Sequence, residues 1–83
     1  MKKYLVDVYL PACGEHYDAF LPMGKRIYEV TQLLVGIANT LSGGNYKGTE
    51  DAMLLNAETG EPFPLGETVY DAGIRNASHL ILI

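Results

Sequence analysis

Thr68-Val69-Tyr70-Asp71-Ala72-Gly73-Ile74, followed five residues later by Leu80-Ile81-Leu82-Ile83, is the stretch that decides how this chain folds. Thr68 carries the side-chain oxygen that an N-cap needs, and Gly73 can leave a helical turn through a left-handed conformation without steric penalty. The spacing between them predicts a capped single turn. The closing run is apolar at every position, whereas a strand with one wet face alternates. It reads as a strand flanked by neighbours on both sides.

Working outward, Glu61-Pro62-Phe63-Pro64-Leu65 can form only an edge strand or a loop, because its prolines have no N–H for a ladder. Ala57-Glu58-Thr59-Gly60 is a turn, and Ala52-Met53-Leu54-Leu55-Asn56 before it reads as a short strand of undetermined register. Further back, Ile27, Val30, Leu34, Ile37 and Leu41 recur at helical spacing and predict about four turns of helix with these five facing the core. Thr31, Gln32, Val35 and Asn39 are then expected on its outer face. Lys25 and Arg26 stand where a cap is expected, and cations there oppose the helix dipole; Glu29 offsets part of this. Ser42-Gly43-Gly44 ends the helix.

At the N-terminal end, Tyr4, Val6, Val8 and Leu10 alternate with Leu5, Asp7 and Tyr9, which is strand periodicity. Pro11 to Glu15 supplies a turn, and His16 to Leu21 resumes an extended segment, giving a hairpin that Pro22 and Gly24 close. The order is β-β-α-β-(β)-turn-β. It predicts an α+β fold, a mixed four-to-five-stranded sheet with one helix across one face. Eighty-three residues leave room for a single domain, 1–83.

Composition narrows the function classes. Hydrophobic residues make up 48% and charged residues 19%, which is globular. A net charge of −4 argues against nucleic acid and against anionic lipid as partners. One cysteine excludes an internal disulfide framework. Asp7 and Pro11 interrupt the apolar run after Lys2-Lys3, so no signal h-region forms and a cytoplasmic protein is expected. The uncharged window from Val30 to Tyr46 contains too many polar residues to insert in a membrane.

The Thr68–Ile74 turn, its five-residue link to Leu80–Ile83, the Ile27-x-x-Val30 helix start and the opening hairpin together resemble the ubiquitin-like β-grasp signature. In element order the likeness covers nearly the whole chain. Within that superfamily the sequence most resembles the small YukD/EsaB-type ubiquitin-like proteins of bacterial type VII secretion, through its length and the Gly73-Ile74-x-Asn76 turn. The resemblance implies an accessory role in secretion, with a protein partner that is a larger membrane-associated component. Modifiers and sulfur carriers of the superfamily end in a mobile Gly-Gly. Here the only such pair, Gly43-Gly44, is internal, so conjugation is disfavoured as the alternative function.

Catalytic, cofactor and metal sites are not expected. Cys13 sits in a turn with Glu15 and His16 following, but successive strand residues point to opposite faces, and a free surface thiol is the simpler reading. His16 and His79 lie far apart with no third ligand at metal-like spacing. Glu50, Asp51, Glu58, Glu61, Glu67 and Asp71 read as a solvated acidic rim. Gly43 to Gly48 lacks phosphate-loop spacing and follows a helix instead of preceding one.

What stands out is apolar surface. If Val6, Val8, Leu80 and Leu82 face the helix, alternation sends Leu5, Tyr9, Ile81 and Ile83 to the uncovered side. The resemblance places the first and last strands side by side, which makes these four a candidate protein-binding patch, extended by Met53 or Leu55. The same patch would serve a homodimer, or a self-associating structural module.

Overall fold

A computed structural model describes residues 2–43 and 52–83. The first two strands, β1 (Lys3–Leu10) and β2 (Glu15–Pro22), pair antiparallel in register from Lys3↔Pro22 to Leu10↔Glu15. Their turn closes on Leu10, whose carbonyl accepts from the Cys13 and Gly14 amides at 3.1 and 2.8 Å. Gly14 takes φ 66°, the left-handed value this turn requires. Helix α1 (Ile27–Leu41) follows, then β3 (Leu54–Asn56) and β4 (His79–Leu82).

The described strands form one sheet in the order β2-β1-β4-β3. β4 runs parallel to β1 and antiparallel to β3, so the apolar last strand is central, as its composition requires. Leu54 pairs with Leu82 and Leu55 with Ile81, which fixes the register that the sequence leaves open. Residues 61–65 contribute a single bridge, Leu55↔Pro62, and otherwise run as loop.

The weak helix start is satisfied from elsewhere. Arg26 occupies the N-cap and makes no side-chain cap bond. The Ile27 and Tyr28 amides donate instead to the Glu67 and Leu65 carbonyls at 2.8 and 3.2 Å, and Arg26 Nη1 donates to Gly66 O at 2.7 Å. Lys25 lies 3.5 Å from Glu29 one turn on. The segment after Leu65 thus does the work of the missing cap, and the turn beyond it forms as expected. Asp71 N donates to Thr68 Oγ1 at 3.1 Å, Gly73 adopts φ 88°, and Val69 and Ile74 are buried.

Core residues come from one face of the sheet and one face of the helix: Val6, Val8, Leu10, Leu21, Leu80 and Leu82 against Ile27, Val30, Leu34 and Ala38. Two helix expectations are corrected. Leu41 is 60% exposed and Ile37 only half-buried, while Thr31, expected outside, is buried. At ~100° per residue Thr31 and Ala38 fall within about 40° of Ile27, and Ile37 about 80° away at the margin of the buried stripe, while Leu41 is the last residue of the helix. Thr31 satisfies its hydroxyl by donating to Ile27 O at 2.8 Å. The glycines and lysine after Gly43, and Glu50 and Asp51 of the acidic rim, lie outside the described residues.

Candidate interaction face

Helix α1 covers one side of the sheet. On the other side the side chains fall into rows set by strand register. One row reads His16, Tyr9, Ile81 and Leu55 across β2, β1, β4 and β3. The next reads Asp18, Asp7 and His79. Beyond that, Phe20 stands opposite Leu5, with Lys3 further along the same strand. At the opposite end Ile83 and Met53 exchange backbone hydrogen bonds of 3.0 and 2.9 Å, which carries the apolar surface past the last ladder pair.

All four residues of the expected patch therefore lie on the open face. Tyr9 and Ile81 are half-buried neighbours; Leu5 and Ile83 are 41% and 50% exposed. Leu55 and Met53 both extend the Tyr9–Ile81 end. Leu5 stands apart from the other three, separated by the row that Asp7 occupies. Its neighbour is Phe20, at 62% exposure the most exposed large apolar residue on this face. Phe20 was legible in principle, because alternation along His16–Leu21 sends Tyr17, Ala19 and Leu21 inward and His16, Asp18 and Phe20 outward.

The middle row holds what sequence reading missed. His16 and His79, sixty-three positions apart, both point Nδ1 at Asp7 Oδ2, at 3.0 and 3.3 Å. An ionised carboxylate only accepts, so both imidazoles present Nδ1–H to it. Burial acts to raise the Asp7 carboxyl, but the hydrogen bonds and charge of His16 and His79 outweigh it, so it sits below the usual carboxylate value of 3.8. The His16 ring also packs on Tyr9, with centroids 4.5 Å apart. Asp18 pairs with Asp7 in register, and among the described residues no lysine or arginine bridges either carboxylate. A shallow groove of about 550 Å³ opens here, lined by Leu5, Asp7, Asp18, Asn76, Ala77 and His79. Among the described residues no group of three or more His, Cys, Asp or Glu is arranged to hold a metal ion.

The groove wall at Asn76–Ala77 is fixed by two hydrogen bonds to the Leu5 backbone. Leu5 N donates to Asn76 Oδ1 at 3.0 Å and Ala77 N to Leu5 O at 2.8 Å, which holds Ala77 at φ 68°. Cys13 is half-buried against the core, not a freely exposed thiol. Arg75 is occupied locally: its guanidinium sits 4.0 Å from the Tyr70 ring centroid and donates to the Tyr70 and Ile74 carbonyls. On the far side of the molecule, the outer surface of α1 exposes Leu33 and Leu41 beside Ile37, with Gly36 leaving a shallow hollow between them.

A mixed sheet in this order with one helix packed across it is the ubiquitin-like β-grasp fold. Solved structures agree. The chain is similar to the EccD5 ubiquitin-like domain from Mycobacterium xenopi, with a TM-score of 0.84 at 15% identity over 100% of this chain and 94% of that one. It is similar also to the ubiquitin-like domain of the Mycobacterium tuberculosis type VII secretion system protein ECCD1, with a TM-score of 0.77 at 16% identity over 100% and 99%. A chain of an ESX-5 inner membrane complex contains a matching region, with a TM-score of 0.82 at 15% identity, over 100% of this chain and 21% of that one. No protein-family description and no curated protein sequence matches the chain. Among the described residues no helix is long and apolar enough to cross a membrane.

Proposed function

We propose that this chain is a non-enzymatic, non-conjugated ubiquitin-like adaptor, a single domain over 1–83, that docks a protein partner on its open sheet face. In this reading it serves a bacterial type VII secretion system from the cytoplasm, and its partner is a membrane-associated component. The observation that carries the reading is the uncovered face itself, with Leu5, Phe20, Met53 and Ile83 exposed around half-buried Tyr9, Leu55 and Ile81. Exposed apolar area gathered on one face is what a docking surface requires. Fully covering one leucine-sized side chain is worth roughly 1.5–3 kcal/mol, so several half-covered ones can support an interface after the cost of association. The secretion assignment draws on the likeness to EccD5 and ECCD1 domains and to part of an inner membrane complex.

Partner capture from source cells with wild-type, Ile83→Asp and Phe20→Ser baits tests this, with circular dichroism to verify each fold. Secretion components bound by wild type and lost with both variants support it. Partners retained by both folded variants refute the open face as the docking surface. Sedimentation over a range of concentrations detects a homodimer, and an intact mass shifted by a conjugate refutes the non-conjugated reading.

A further inference from the structure

Resting on the docking reading above, we infer that the open face takes a partner segment carrying a basic side chain, arginine or lysine, which enters the groove between Asp7 and Asp18 while flanking apolar residues cover Leu5 and Phe20. The two carboxylates stand directly opposite each other across β1 and β2, an arrangement that opposes strand pairing. His16 and His79 both turn to Asp7 and neither bonds Asp18, so one charge of the pair stays uncompensated among the described residues. A shallow groove lined by both carboxylates and by Leu5 and Ala77 is complementary in charge to a guanidinium or ammonium on an aliphatic stem.

Of the charged and titratable groups, Asp7, Asp18 and His79 line the groove, Lys3 and His16 stand in rows outside it, and the other side of His79 borders a small cavity shared with Glu58.

The probes are two blocked pentapeptides, Leu-Ser-Arg-Ser-Leu and Leu-Ser-Glu-Ser-Leu, titrated into the isotopically labelled full chain and followed by amide NMR shifts. The arginine peptide is expected to give saturable shifts at Leu5, Asp7, Asp18 and Ala77, with the glutamate peptide weaker by about tenfold or more, the scale of one charged hydrogen bond. Asp18→Asn removes a like-charge pair, so it folds at least as well as wild type, and it should weaken the arginine peptide by a similar factor. Equal binding of the two peptides, or no saturable shift from either, overturns the inference. So does a secretion partner that Ile83→Asp loses and Asp18→Asn keeps at unchanged affinity, and that result leaves the docking reading standing.

Discussion

Leu34 and Leu41 stand seven residues apart on α1. A repeating 3-4 spacing would bury both, yet Leu34 is fully buried and Leu41 is 60% exposed. Alanine at each position separates the two pictures. Leu34→Ala removes roughly three methylene equivalents, about 2.4 kcal/mol of transfer free energy at ~0.8 kcal/mol per buried CH₂. The vacated space lies between the helix and the sheet core, and an incompletely collapsed cavity brings the total to about 3–4 kcal/mol. Leu41→Ala gives up only the covered fraction of the same group, about 1 kcal/mol at most. Alanine's higher helix propensity offsets part of that.

A chain of this length has a total stability of roughly 4–12 kcal/mol, so the first loss shifts a urea midpoint far and the second barely moves it. Urea unfolding followed by far-ultraviolet circular dichroism reads both, with a constant slope confirming two-state behaviour. If Leu41→Ala costs more than about 2 kcal/mol, or Leu34→Ala less than about 1 kcal/mol, the helix presents a different face to the sheet than the one described.

Three further outcomes are expected. The lowered Asp7 carboxyl contributes stability that is present above the unfolded-state value and lost as pH falls through the folded one. Acid unfolding below about pH 4 should therefore be steeper for wild type than for Asp7→Asn, and parallel curves would refute the His16–Asp7–His79 cluster. Ala77 pays the Cβ penalty of a left-handed backbone at φ 68°, so Ala77→Gly should gain about 0.5–1 kcal/mol, a melting point raised by roughly 4 °C; a lowered one would refute that strain. Tyr17 donates its hydroxyl to Leu34 O at 2.9 Å, so Tyr17→Phe should cost about 1 kcal/mol in urea, and an unmoved midpoint would show the bond contributes nothing.

The sequence carries the fold because its signals are local. Alternation along Tyr4–Leu10, the glycine exit at Gly43 and the Thr68–Gly73 turn each depend on nearby residues, and each forms where it is read. The apolar last strand is the one long-range feature legible from composition, since only a central strand needs no polar face. Helix facing was harder. Ala38 is small enough to pass for either environment, and Thr31 buries a hydroxyl by bonding back to Ile27 O, which hydropathy cannot anticipate. The middle of the open face was illegible for a different reason. Asp7, His16 and His79 meet only once β1 has paired β2 on one side and β4 on the other. No spacing within the chain encodes that meeting, because it is a product of two registers.

The open sheet face and the outer side of α1 differ in what they cost the fold. On the outer side of α1, Leu33 and Leu41 are good helix formers, and their exposure conflicts with nothing else in the helix. The open sheet face is different. There Asp18 opposes Asp7 across a hairpin that a lysine or threonine at either position would stabilise, and Phe20 stands in water beside them. Positions where a local choice works against the fold are where function is expected to have set the residue. His16 and His79 relieve Asp7, and among the described residues no side chain bonds the Asp18 carboxylate, so the conflict is reduced without being removed. A partner that brings the missing cation relieves the rest on binding. That difference in charge balance between free and bound states, which the helix surface lacks, favours the sheet face as the docking surface.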